Sequence, residues 1–241
     1  MTYIDIGLKQ LKSEIIIMWD LVRSQLLKAQ ESFLKLDKDL AREVVLNEKR
    51  VNACELKINL DCENIFALFN PVAIDLRFVL AALKINSNLE RIGDNAESIA
   101  KYVIDLNSPL DEKLLKISHI IEMYDEANLM LFNTQEAFDK ENSILARSVF
   151  KIDETLDNIN QKANSLVAAY IRNNPDKIEE SLYTVSIIRK LERVGDQSKN
   201  IAEEIIFYIE AKILNQQAEK NIIISDTKMS YYRNRVKGLS I

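Results

Sequence analysis

An all-helical protein, made of one three-helix module repeated in tandem, is the fold class that this sequence predicts. Three observations lead there. Apolar residues recur at alternating spacings of three and four along six long stretches, the mark of helices buried on one side. Turn formers are scarce, with 4 Gly and 3 Pro in 241 residues, which argues against many short strands. A six-residue motif, Leu89-Glu90-Arg91-Ile92-Gly93-Asp94, returns as Leu191-Glu192-Arg193-Val194-Gly195-Asp196 with one conservative change. Internal duplication accounts for that return better than chance does.

Each helix is read from its apolar seam. The first carries Leu8, Leu11, Ile15, Met18, Val22, Leu26, Ala29, Phe33 and Leu36; the second Val44, Val51, Cys54, Ile58 and Ile65; the third Ala82, Ile85, Leu89, Ile92, Ala96, Ile99 and Val103. The pattern then restarts. The fourth helix shows Ile120, Tyr124, Ala127, Leu131 and Phe138; the fifth Val149, Ile152, Leu156, Ile159, Ala163, Leu166 and Tyr170; the sixth Ile187, Leu191, Val194, Ser198, Ile201, Ile205 and Tyr208. Breaks are expected near 37–40, 70, 107–111, 140–143 and 174, with Pro71, Pro109 and Pro175 at or beside three of them. Short links make neighbouring helices antiparallel. The division is therefore residues 1–107 and 110–212 for the two modules. Residues 213–241 form a C-terminal extension rich in Lys and Arg, with Tyr231 and Tyr232 adjacent.

A hydrophobic share of 47% supports a real core, which excludes a disordered chain. The formal net charge of −5 disfavours nucleic acid as a partner, since phosphate binding calls for a basic surface. Apolar runs such as Ile15–Trp19 fall far short of the ~18 residues of a membrane span. The N-terminus has no signal-peptide pattern, so a cytoplasmic protein is expected. Cys54 and Cys62 lie eight apart on one helix, about 12 Å by helical rise, too far for a disulfide. They are read as reduced thiols. Trp19 is read as a core residue and His119 as an exposed one. No Ser or Thr stands in a His–Asp context, and no Gly-rich phosphate cradle occurs, so an enzyme is not expected.

The candidate site lies in the repeat. Glu90 and Asp94, like Glu192 and Asp196, stand four apart, which stacks both carboxylates on one helix face about 5–6 Å apart at Cβ. The second helix of each module offers a counterpart: Glu48 and Asn52 around Val51, Asp153 and Asp157 around Leu156. Side by side, the two helices of a module present four oxygen donors. Oxygen-only sets suit hard cations such as Mg²⁺, Ca²⁺, Mn²⁺ or ferric iron. The Glu-x-x-His pairs of a ferritin-type di-iron centre are absent, because His119 is the sole histidine. Gly93 and Gly195 hold equivalent mid-helix positions at roughly 1 kcal/mol each relative to Ala. The expected reason is close approach of a neighbouring helix or an ion. The plainer alternative is that Arg91–Asp94 and Arg193–Asp196 form surface ion pairs worth ~0–1 kcal/mol.

These motifs carry a resemblance. Asp75-Leu76-Arg77-Phe78-Val79, then Leu89–Asp94 with Ser98-Ile99-Ala100, then Leu191–Asp196 with Asn200-Ile201-Ala202-Glu203, resemble the PhoU family of phosphate-specific transport accessory proteins. Glu48-Lys49-Arg50-Val51-Asn52 is similar to that family's second-helix motif. The order and spacing agree over about residues 5–212.

The resemblance implies two three-helix bundles related by a pseudo-two-fold. It implies a cytoplasmic, non-enzymatic, homodimeric negative regulator of phosphate uptake and of phosphate-starvation signalling. Its implied partners are the ATPase of the phosphate ABC transporter (PstB) and a sensor histidine kinase (PhoR), with the membrane met only through them. It implies divalent or ferric metal ions (iron, manganese, magnesium or zinc) on Glu48/Asn52 with Glu90/Asp94 and on Asp153/Asp157 with Glu192/Asp196. A metal-storage or catalytic bundle is the alternative. Asn52 is a weaker donor than a carboxylate, which ranks the first site below the second. Asp75 and Arg77 lack equivalents in the second half, which suggests a one-sided contact surface.

Overall fold

A computed structural model describes residues 2–211; the basic extension expected at 213–241 lies outside the described residues. Four of the seven described α-helices start at a side-chain cap. Helix α1 (Tyr3–Lys35) starts at Thr2, whose hydroxyl accepts from the Asp5 amide while the Asp5 carboxylate accepts from the Thr2 amide at 2.7 Å. It ends at Leu36 in the left-handed region, φ 51°. Asp37 caps α2 (Lys38–Phe69) by accepting from the amides of Asp39 and Leu40. Asn70, φ 46°, ends α2, and Pro71 intervenes before α3 (Ala73–Asp105).

The second module opens with a short helix that the apolar pattern does not announce. Asp111 caps α4 (Glu112–Ser118), and His119 then takes up φ 54°, ψ 24°, before α5 (Ile120–Asp139) begins. The chain therefore has seven α-helices among the described residues where the sequence pattern marks six. The cause is one residue in left-handed backbone, which breaks the helical hydrogen-bond ladder without a Gly or Pro to advertise it. Exposed His119 also places Nδ1 2.9 Å from Glu122 Oε2. Asn142 caps α6 (Ser143–Asn173), accepting from the amides of Ile144 and Leu145. A single 3₁₀ turn at Pro175–Lys177 leads into α7 (Ile178–Glu210).

The third helix of each module forms the centre. Helices α3 and α7 pack on each other, α1 and α2 pack on α3, α5 and α6 pack on α7, and α1 also meets α5. One continuous apolar core runs through both modules, so the repeats share an interior. Trp19 is wholly buried, as expected, and its indole N–H donates to the Leu131 carbonyl at 3.2 Å, tying α1 to α5. Its ring lies 5.5 Å from that of Phe138, which also meets Phe78 and Tyr208 at 6.1 Å. These four rings come from both modules and meet in tilted, stacked and edge-on pairs. Arg77 Nε donates to the Tyr208 carbonyl at 3.5 Å, so half-buried Arg77 fastens α3 to the end of α7. Cys54 and Cys62 are free thiols, and burial pushes Cys62 up to about 12. Among the described residues no helix is long and apolar enough to cross a membrane.

Candidate acidic patches

The motif glycines explain how the patches are built. A Cβ on Gly93 would lie 3.0 Å from Glu48 Oε2, 3.2 Å from Val51 Cγ1 and 3.4 Å from Gln25 Oε1. A Cβ on Gly195 would lie 2.6 Å from Leu156 Cδ2, 3.3 Å from Asp153 Oδ1 and 3.6 Å from Met130 Sδ. Glu48 corresponds to Asp153, Val51 to Leu156 and Gln25 to Met130, each at one offset, 105 residues. In both modules, then, the missing side chain lets the carboxylate helix press against the motif helix.

The first patch draws Glu48 and Asn52 from α2 and Glu90 and Asp94 from α3. Glu48 is only 5% exposed, Glu90 is half-buried, and Asn52 and Asp94 face solvent. Gln25, on α1, donates from Nε2 to Glu48 Oε2 at 3.2 Å. Glu48 Oε1 and Gln25 Oε1 are both buried and neither has a hydrogen-bond partner. Burial pushes the Glu48 carboxyl up to about 7, against the pull of the Gln25 hydrogen bond, and Asp94, Glu97 and Glu90 push it further. Burial and Asp94 raise Glu90 in the same way. Asp94 and Glu90 thus act on Glu48, and Asp94 acts on Glu90, while Asn52 sits one turn from Glu48 with its side chain exposed.

The second patch draws Asp153 and Asp157 from α6 and Glu192 and Asp196 from α7. Asp153 is 3% exposed, Glu192 is half-buried, and Asp157 and Asp196 face solvent. Burial raises Glu192, then Asp196, Asp157 and Asp153 add to it; burial raises Asp196, with Asp153 and Asp157 adding and Lys199 opposing. The ion pair formed here runs between helices: Lys199 Nζ lies 2.8 Å from Asp153 Oδ2.

Three participants escape a reading by motif. Gln25 belongs to a different helix, and its register against α2 is set by tertiary packing. Glu97 and Lys199 do carry a signal: they occupy equivalent positions, three residues after Asp94 and Asp196, with opposite charge.

The first patch offers hard oxygens: Glu48 Oε1 and Gln25 Oε1 are buried without partners, and Gly93 places no Cβ beside Glu48 Oε2 and Gln25 Oε1. Among the described residues no group of three or more His, Cys, Asp or Glu side chains is arranged to hold a metal ion.

A duplicated helical bundle, with a shared core and an acidic patch on each module, is the class of protein these features define. The PhoU domain pattern matches the chain twice, at residues 15–103 and 120–205. A phosphate-specific transport system accessory protein PhoU homolog of Pseudomonas putida is 31% identical over 206 residues, 84% of this chain and 78% of that protein. PhoU homolog 1 of Thermotoga maritima is 33% identical, covering 82% of this chain and 84% of that protein. The crystal structure of PhoU from Pseudomonas aeruginosa superposes with a TM-score of 0.80 at 29% identity, over 86% of this chain and 99% of that one. The phosphate transport system regulatory protein PhoU from Streptococcus pneumoniae superposes with a TM-score of 0.77 at 27% identity, over 88% of this chain and 99% of that one. The chain belongs to the PhoU family, a family of accessory regulatory proteins and not of enzymes.

Proposed function

We propose that this protein is a cytoplasmic negative regulator of phosphate uptake and of phosphate-starvation signalling, acting by contact with the phosphate transporter's ATPase (PstB) and with a sensor histidine kinase (PhoR). The family supplies the coarser statement, an accessory and regulatory protein of phosphate transport. The finer one is supported by the architecture. A rigid core shared by two modules presents two acidic faces of the same design, suited to holding cations or to meeting basic surfaces. The observation that carries the reading is the pair of glycine-cradled acidic patches set at equivalent places in the two modules.

In this proposal a homodimer docks on its partners when phosphate is plentiful and restrains both import and signalling. Divalent or ferric ions on Glu48/Asn52/Glu90/Asp94 and on Asp153/Asp157/Glu192/Asp196 would neutralise the patches and set their shape. Deletion of the gene should release starvation-gene expression in phosphate-rich medium. Expression that stays repressed in rich medium after deletion, together with failure to recover transporter or kinase components on the purified protein, would overturn the proposal.

A further inference from the structure

The two modules expose unequal apolar surfaces. On the first, Leu76 and Leu80 stand one turn apart on α3 and are both exposed. Their face lies between the side that meets α7 through Arg77 and Lys84 and the side that meets α2 through Asn86. Asn86 Nδ2 donates to the Glu55 carbonyl and to Asn59 Oδ1, both at 3.0 Å. That register sets Leu60 of α2 within about a turn of the level of Leu80, with Leu56 a turn further on. Leu56 and Leu60 are 69% and 56% exposed. The α3 face runs on into Glu90 and Asp94, and the α2 face into Asn52. In the second module Ile178 and Leu182 repeat Leu76 and Leu80 at the motif's own offset of 102 residues, but Gln161 and Ser165 replace Leu56 and Leu60. Asn174 and Asp176 likewise replace Val72 and Ile74. The apolar surface spans two helices in the first module and one helix edge in the second.

The chain itself supplies a cover. Helix α7 runs antiparallel to α3 and ends beside this surface. The Tyr208 carbonyl accepts from Arg77 at 3.5 Å, and the Tyr208 ring lies 5.6 Å from that of Phe78. The helix stops at exposed Ala211, φ 56°, about level with Ile74. Residues 212–241 follow, outside the described residues. Their first half holds Ile213, Leu214 and the run Ile222-Ile223-Ile224. Beyond Asp226 come Lys228, Arg233, Arg235 and Lys237, with no further Asp or Glu. We propose that residues 213–224 lie over Leu76, Leu80, Leu56 and Leu60 as an intramolecular strap. The reach is ample: the chain from Ala211 to Ile222 spans up to about 35 Å when extended, against about 6 Å of helical rise from Leu76 to Leu80. The order of the chemistry sets the direction. The extension is apolar and then basic, and the α3 face is apolar and then acidic, so residues 228–237 run toward Glu90 and Asp94. Ile178 and Leu182 sit at the far end of α7, about 45 Å of helix from Ala211, and stay uncovered. A partner that meets this face of the first module must first displace the strap.

The test is carbene footprinting of the full-length protein in chelator, at several protein concentrations, read by peptide mass spectrometry, with circular dichroism to verify folding. In the wild type, Leu76 and Leu80 should be labelled at least about threefold less than Ile178 and Leu182, their counterparts far from the extension. Ile222→Asp combined with Ile223→Asp and Ile224→Asp, changes that leave the described core untouched, should raise that labelling to the level of Ile178 and Leu182. Arg233→Glu with Arg235→Glu should give a smaller rise. Equal labelling of the two stripes in the wild type would overturn the strap, and so would protection of Leu76 and Leu80 that survives the triple isoleucine change. Protection that disappears on dilution would assign the cover to a second copy of the chain and overturn it as well. Labelling unmoved by the paired arginine change would overturn the direction assigned to the strap.

Discussion

In the first module a buried carboxylate, Glu48, keeps one oxygen without a partner; in the second its counterpart, Asp153, is bonded to Lys199 at 2.8 Å. The backbone frames are the same, with a motif glycine against a carboxylate helix in each. Duplication therefore copied the scaffold and left the charges free to diverge. Gln25 opposite Met130, and Glu97 opposite Lys199, turn one frame into two electrostatic environments. A repeat fold of this kind lets one patch hold its own counter-charge while the other keeps a buried carboxyl whose hold on a proton is strengthened.

Perturbing that difference should have ordered effects on stability, measured by urea unfolding in chelator. The largest belongs to Lys199→Ala. It strands a buried carboxylate, and removing one partner of such a pair costs about 3 kcal/mol, near the lower end of its usual range because Lys199 is part-exposed. A loss under 0.5 kcal/mol would mean that Asp153 is solvated in some other way. Next comes the pair of glycines. Gly195→Ala should destabilise by about 1–2 kcal/mol net, because its Cβ would meet Leu156 at 2.6 Å in a filled core, a clash that exceeds the gain in helix propensity. Gly93→Ala should cost less, its tightest contact being Glu48 Oε2 at 3.0 Å. The reverse order would show that the first frame is the more rigid.

The smallest effect is a gain. Glu48→Gln should stabilise the metal-free protein by about 1 kcal/mol at pH 8, since it removes a buried charge that lacks a full set of partners. The sign follows from the raised carboxyl. Burial holds Glu48 at about 7, above the ordinary 4.5, so the folded protein binds this proton more tightly than the unfolded chain. The contribution of Glu48 is full below about 4.5 and is lost as pH rises through about 7, so the advantage of Gln should shrink as pH falls across that interval. An advantage independent of pH would place the carboxylate in water.

Much of this molecule can be read in its sequence. The three-and-four spacing fixes the long helices, and the repeated Leu-Glu-Arg-(Ile/Val)-Gly-Asp fixes both the duplication and the helix on which each patch lies. The glycines were legible as points of close approach because an interior helical glycine has a physical cost that calls for a reason. Two things were not legible. The break at His119 depends on a left-handed backbone in a residue that gives no pattern-level warning, so α4 and α5 read as one element. The Gln25–Glu48 hydrogen bond depends on how α1 lies against α2, which periodicity within either helix does not encode. The opposite charges of Glu97 and Lys199 were in plain view at matching positions, but only the 2.8 Å contact with Asp153 gives the difference a meaning.

The most direct test of the contrast between the patches is the stability of Lys199→Ala beside that of Glu48→Gln, followed by urea unfolding in chelator at pH 8. The predicted result is a loss for the first, which strands Asp153, and a gain for the second, which removes a buried carboxylate with an unpartnered oxygen. Changes of the same sign in both variants would contradict it.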